Sequence, residues 1–458
     1  MVFQSWIFLI FFAVAFPAYL LARGTRFHSL WLLIVSYLFY AWLNPLYLLL
    51  VVFTTTVDYA VVFAMSRSRR KGLWLSLSVL SDLSLLGFFK YSRFVAENLN
   101  ELLGWLHASC TVPKPDVLLP IGISFFVFRS LTYSIDFYRG NVEMERNFIR
   151  YAAFVAFFPQ LLAGPIERAR NLLPQLRQPA PITKQDMTDG LSLFVVGLFK
   201  KVALADYLAT YVNEVYGVPD QYQAPALMLA TFAFAWQIYF DFSGYTDMAR
   251  GVARLMGIRT MLNFDNPYLA SGLGDFWNRW HISLSTWFKD YLYISLGGNR
   301  KGQVRTYVNM FVTMVVSGLW HGAQWTFVAW GALHAAGRVV TRELERSEFY
   351  RERVPRCVKQ AFVFTFVCFC WIFFRADSFA DAWTIVTRIF TSGVADPRCP
   401  LLMIGLVLSV WAYQFVYESR IRSILDLAPV RVGLTVVMLL YIAFFANAGS
   451  QPFIYFQF

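Results

Sequence analysis

Apolar stretches long enough to cross a membrane recur along the whole chain, separated by short charged or proline-bearing breaks. The longest uncharged run lies between Arg305 and Arg338 and carries no Asp, Glu, Lys or Arg. A straight helix needs about 20 apolar residues to cross the hydrocarbon core. This run, residues 306–337, is too long for one simple span and too short for two complete ones. It predicts a tilted or broken helix around Gly318 and Gly322, with His321 near bilayer mid-depth. An ionisable group at that depth is costly, so His321 becomes a functional candidate.

The other apolar stretches predict spans over about residues 4–21, 29–43, 45–65, 73–89, 118–137, 224–240, 360–374, 401–416 and 432–445. Residues 94–106 mix apolar and polar positions and predict an interfacial helix. Residues 151–164, short and holding Pro159, predict a re-entrant or interfacial segment. Lys200 and Lys201 interrupt the apolar stretch 191–202, while Pro179, Pro181 and Asp186 mark a loop and a helix start. Arg129 and Asp136 fall inside one span and are expected to be paired and not lipid-facing. Residues 241–305 mix charges, glycines and tryptophans with apolar positions, so they must be buried in protein or line a cavity. Residues 453–458 form an aromatic anchor of the interfacial kind. The count is roughly ten to twelve spans. Basic clusters at Arg23 and Arg26 and at Arg67, Arg69, Arg70 and Lys71 set the cytoplasmic side and put the N-terminus outside. Residues 1–22, apolar without a basic leader, read as a first span and not as a cleaved signal peptide.

Composition agrees. The chain is 58% hydrophobic and 15% charged, against roughly 25% charged in soluble domains. Its mean hydropathy is +0.49. The fold class is an all-α polytopic membrane protein; a membrane barrel would show short alternating segments instead. The net charge of +12 follows the positive-inside bias. No basic face of the kind that binds nucleic acid stands out. The five cysteines lack metal-type spacing, so neither a disulfide framework nor a metal site is expected.

His321 reads in two ways: a core histidine packed among Trp320, Trp325 and Trp330, or a general base, since imidazole titrates near working pH. Its flanking glycines would let a substrate or another backbone approach closely. His281 also follows a tryptophan, Trp280, and opens a segment rich in Ser and Thr; it is catalytic, substrate-orienting or structural. His334 would face another side of a continuous helix and is treated as structural. His28 and His107 fall near membrane ends. Asp241 and Asp247 turn away from each other on a helix, so each either pairs with a buried arginine, caps a helix or faces the site. The turn holding Asn299, Arg300 and Lys301 would hold phosphates through amides and cations, or is a positive-inside turn. No GxSxG, HExxH, Walker A or GxGxxG context is present. A transporter would show paired broken helices in two similar halves, and no such symmetry is found.

Six segments together resemble the membrane-bound O-acyltransferase family, and most closely its bacterial branch typified by the membrane subunit of alginate O-acetylation. They are LPIGISFF at 119–126, FPQLLAGPI at 158–166, FDFSGYTD at 240–247, NRWHISLSTW at 278–287, YLYISLGGNR at 291–300 and LWHG at 319–322. The resemblance implies a ring of tilted helices around a central funnel, with re-entrant and interfacial helices. It implies a single domain over 1–458: N-terminal spans 1–118, a core 119–340 with the active site, and C-terminal spans 341–458. The family's essential histidine falls on His321 and its second motif histidine on His281. The implied donor is acetyl-CoA from the cytoplasm, with no permanently bound cofactor and no metal. The implied acceptor is an exported polysaccharide, and a periplasmic SGNH-type acetyltransferase would complete delivery at the bacterial inner membrane. Asp241, Asp247, Arg279, Trp280, Trp320 and Ser285 would then line the substrate passage, and Asn299, Arg300 and Lys301 would meet the CoA phosphates. Whether His321 acts as base or as acyl carrier stays open. The rival within the family is D-alanyl transfer to teichoic acid from a carrier-protein thioester, although residues 291–300 look more like the alginate type.

Overall fold

The computed structural model describes residues 1–395, 400–425, 427–445 and 451–454, and every regular element among the described residues is helical. Four helices, Pro45–Arg67, Lys71–Trp105, Ala224–Leu255 and Arg356–Arg375, are long and apolar enough to cross a membrane. Trp6–Ala22, His28–Ala41, Met403–Glu418 and Ala428–Phe444 are shorter apolar helices. Trp6, Leu21, Trp105 and Phe390 are among many large apolar side chains left exposed, a surface that lipid covers and water would not. Among the described residues the count by length and apolarity stays below the ten to twelve spans expected, because several apolar stretches are short or bent.

Two expected boundaries move. Residues 94–106 extend the long helix Lys71–Trp105 and do not form a separate interfacial element. The π-turn Gly87–Tyr91 puts an extra residue into that helix without ending it. The span expected to stop at Phe240 continues as α1 (Ala224–Leu255). The chain beyond Phe240 stays helical where protein surrounds it: Asp241, Ser243 and Thr246 are buried. The uncharged run divides into α2 (Gln303–His321) and α3 (Trp325–Leu344). The broken helix was expected; its break falls at Gly322–Gln324.

The chain forms two compact units, Met1–Phe194 with Ala249–Met261, and Val195–Met248 with Leu262–Phe458. In the first unit, residues 151–164 are buried in protein, not interfacial. The short helices Phe148–Val155 and Phe158–Leu161 leave carbonyls that no helical amide satisfies. Arg129, fully buried, donates to the carbonyls of Val155 at 2.8 Å and Gln160 at 3.0 Å. Arg129 thus serves backbone carbonyls and Asp136 accepts from Asn141, so both are buried and partnered and neither faces lipid, as expected. Gly122 has φ +80°, and a Cβ there would stand 2.8 Å from the Leu161 carbonyl oxygen. The helix start at Asp186 is as expected: its carboxylate accepts from the Thr183 amide and hydroxyl, and its own amide donates back to that hydroxyl.

In the second unit, the apolar stretch that the lysines interrupt turns through a π-helical segment, Lys200–Ala205. Gly197 and Gly244 let two backbones approach; a Cβ on Gly244 would stand 2.7 Å from the Gly197 carbonyl oxygen. α2 buries Thr306, Asn309, Thr313, Ser317 and Gly318 on one stripe and exposes Val308, Phe311, Val312 and Val316 on the other. Polar and small residues inside, apolar outside, is the arrangement of a helix that packs on protein and faces lipid. The last described residues, Phe453 and Ile454, are buried against protein and not placed as an exposed interfacial anchor. Residues 455–458 of that expected anchor lie outside the described residues.

Candidate active site

His321 is the last residue of α2, and the chain doubles back immediately after it into α3. The hairpin is tight because it is built on glycine. A Cβ on Gly318 would lie 2.2 Å from the Phe327 carbonyl oxygen, and one on Gly331 would lie 2.5 Å from that of Met314. A Cβ on Gly322 would enter the Phe327 ring at 2.1 Å. The close approach that these glycines allow is therefore made by the protein's own helix. Gly318→Ala is expected to force α2 and α3 apart, at the usual overpacking cost of about 1–3 kcal/mol. The check is the melting temperature and transfer rate of the purified protein: both fall, and wild-type values in both would contradict the packing.

His321 is 4% exposed and His281 1%. The His321 ring stands edge-on to Trp320 at 5.0 Å, Trp330 at 5.2 Å and Phe374 at 5.2 Å, between ring centroids. The His281 ring meets Phe242 at 4.5 Å and Trp320 at 6.0 Å. Trp320 thus touches both histidines, and the two sequence motifs share one aromatic wall. Trp280 closes it through Trp371 at 5.1 Å, which stacks on Trp330 at 6.0 Å. His334 joins the same cluster, 4.7 Å from Trp330 and 5.0 Å from Trp277. A continuous helix would set His334 on another face, but the turn at Gly322 breaks that helix.

His281 occupies the left-handed region at φ +41°, between the short helices Leu273–Arg279 and Ile282–Trp287. A non-glycine residue there costs about 1–2 kcal/mol. Two sets of bonds hold it. Its carbonyl accepts from the amides of Leu284 at 3.0 Å and Ser285 at 2.9 Å, and the Ile282 amide donates to the Asn263 carbonyl at 2.9 Å. Its Nδ1 lies 3.1 Å from Asn263 Oδ1. Asn263 escaped the sequence reading, since nothing local in Asn263-Phe264-Asp265-Asn266 distinguishes it from a loop residue.

The remaining candidates divide. Ser285 donates to the Trp280 carbonyl at 3.0 Å, so its hydroxyl is used within the turn. Arg279 bonds Asp275 and Glu418, each at 2.8 Å, and is not brought to the histidines by these bonds. Burial alone would lower the Arg279 guanidinium, but the two carboxylates outweigh it and hold it above its usual value. Asp247 pairs with Lys200 at 2.7 Å. Asp241 pairs with Lys201 at 2.6 Å and accepts from the Ile454 amide at 2.7 Å. Each carboxylate thus has a lysine partner. Asn299, Arg300 and Lys301 lie exposed on a turn whose Gly297, Gly298 and Gly302 all have positive φ. Asn309 of α2 ties that turn down by donating to the Gly298 carbonyl at 2.9 Å. Among the described residues, no three His, Cys, Asp or Glu side chains group to hold a metal ion.

Known proteins share this architecture's sequence. Residues 126–378 match the model of the MBOAT, membrane-bound O-acyltransferase family. The chain is 41% identical to a protein named "Probable alginate O-acetylase AlgI" of Pseudomonas aeruginosa, over 86% of this chain and 75% of that one. It is 37% identical to its namesake in Pseudomonas putida over the full length of both. It is 34% identical to the peptidoglycan O-acetyltransferase of Helicobacter pylori, over 82% of this chain and 77% of that one. The matched span contains the histidines, the aromatic wall and the glycine hairpin between them, and the chain is a multi-pass membrane enzyme belonging to the membrane-bound O-acyltransferase family.

Proposed function

We propose that this protein takes an acetyl group from cytoplasmic acetyl-CoA and passes it across the bacterial inner membrane for O-acetylation of an exported polysaccharide, with His321 at the point of transfer. The observation that carries this reading is the setting of His321: buried, at a helix break, inside an aromatic wall shared with His281. A histidine held there can deprotonate an acceptor hydroxyl, or take the acyl group itself, as the thioester carbonyl is attacked. The aromatic surroundings keep water from competing for the acyl group. Relatives named for O-acetylation of alginate and of peptidoglycan support acetyl as the group moved.

The rest of the reading follows from the family. A ring of helices around a central funnel would let donor and acceptor approach His321 from opposite faces, within one acyltransferase domain. The core, residues 119–340, would carry the reaction, with residues 1–118 and 341–458 as flanking spans. Trp280 and Trp320 would form part of the funnel wall; Asp241, Asp247, Arg279 and Ser285 would support it from behind. The exposed turn of Asn299, Arg300 and Lys301 suits the phosphates of CoA, which are anionic and stay in water. A periplasmic SGNH-type protein would finish delivery to the polysaccharide. The test offers the purified protein labelled acetyl-CoA and, separately, a labelled acyl-carrier-protein thioester. Label drawn from acetyl-CoA supports the reading. Label drawn only from the carrier protein would move the chain to D-alanyl-type chemistry, and label from neither would favour transport.

A further inference from the structure

We infer that Asn263 is a positioning residue that fixes the tautomer of His281 and so presents Nε2 as its basic nitrogen. The inference rests on the reading above for its catalytic consequence, but its structural half stands alone. Asn263 is fully buried. The orientation of its amide is set by a donor that cannot be reversed: the backbone N–H of Ser283 points at it from 3.1 Å. The atom facing that N–H must accept, so it is Oδ1, and Nδ2 is left to donate toward Thr246 Oγ1 at 3.4 Å. Ser283 Oγ donates to the same Oδ1 at 2.9 Å.

His281 Nδ1 lies 3.1 Å from this oxygen. An amide oxygen has no proton to give, so two lone pairs would face each other unless Nδ1 carries the hydrogen. The neutral ring is therefore the Nδ1–H tautomer, and its lone pair sits on Nε2. The backbone reinforces this choice. The Ile282 amide donates to the Asn263 carbonyl and the Asp265 amide donates to the Arg279 carbonyl, both at 2.9 Å, so the asparagine's segment runs beside the histidine's. That pairing, with the left-handed turn at His281, brings Nδ1 to Asn263 Oδ1. A histidine that acts on a proton works only with its lone pair on the nitrogen that faces the substrate. Holding the tautomer in advance removes one step from the reaction's reorganisation.

The experiment uses the full-length protein in lipid with isotope-labelled histidine, read by solid-state NMR. The ring nitrogens report the tautomer directly. The chain has only five histidines, so His281 is assigned by subtraction in His281→Gln. Wild type is expected to show Nδ1–H at His281. Asn263→Leu is expected to lose that signature and to lower kcat at least tenfold with KM little changed. Asn263→Asp, which keeps an acceptor at Nδ1, is expected to keep a proton on Nδ1 and to recover most of kcat. If Asn263→Leu does not fold, wild type and Asn263→Asp still decide the question. An Nε2–H tautomer in wild type overturns the inference, as does Asn263→Asp without a proton on Nδ1. If Asn263→Leu loses the tautomer and acetyl transfer proceeds at the wild-type rate, Asn263 still sets the ring and it is His281's part in the reaction that falls.

Discussion

Lys201→Met will leave little folded protein. The Lys201 ammonium is 1% exposed and is shared by Asp241 at 2.6 Å, Asp206 at 2.9 Å and the Gln451 carbonyl at 3.0 Å. Methionine matches its length and removes its charge, leaving two buried carboxylates without their cation. Breaking a buried pair from one side costs about 3–5 kcal/mol, a large part of the roughly 5–15 kcal/mol by which proteins are stable. The damage spreads, because Asp241 also accepts from the Ile454 amide, and the neighbouring Phe453 packs 4.5 Å from Tyr245 and 5.9 Å from Phe242. Phe242 in turn packs on His281. The yield of monodisperse protein after detergent extraction and its melting temperature measure the effect. The double variant Lys201→Met, Asp241→Leu should recover part of both, since it removes one stranded charge. A single variant as stable as wild type would mean that this network does not hold the unit together.

His321→Ala will cut acyl transfer by at least about 10²-fold while leaving the fold in place. The ring lies against Trp320, Trp330 and Phe374. The hairpin itself depends on Gly318, Gly322 and Gly331, none of which changes. As a general base, the imidazole contributes typically 10²–10⁴ in rate; as an acyl carrier, its removal leaves no route. The expected loss is therefore at least about 10²-fold on the first account and complete on the second. His321→Gln, which refills the space without a basic nitrogen, should fail equally and guards against a packing effect. Enzyme incubated with labelled donor and no acceptor separates the accounts: label retained on wild-type protein and absent from both variants marks the acyl carrier.

Much of this was legible in the order of residues, and the failures share a cause. The break near His321 could be read because a charge-free run of that length fits neither one span nor two, and glycines stood at the right places. The start at Asp186 could be read because Thr183 and Asp186 satisfy each other locally. That Arg129 is bonded and not lipid-facing could be read, but its partners could not, because carbonyls have no sequence signature: they are the backbone of Val155 and Gln160, exposed by a bend. Lys201 looked like an interruption of an apolar stretch, and only the π-turn that carries it to Asp241 reveals a buried ion pair. The stop expected at Phe240 treated polarity as the end of a span, but α1 continues where protein takes the place of lipid. Asn263 and His281 are separated along the chain, and their bond exists only because two loop segments pair side by side. His334 was set apart by a helix that turns out to be two.

The most direct test of the central claim is label transfer from acetyl-CoA to a polysaccharide acceptor, measured on purified wild type and His321→Ala side by side with any periplasmic partner present. The account predicts label on the acceptor with wild type and at least about 10²-fold less with the variant, both proteins being folded. Label transferred by His321→Ala at the wild-type rate would contradict it.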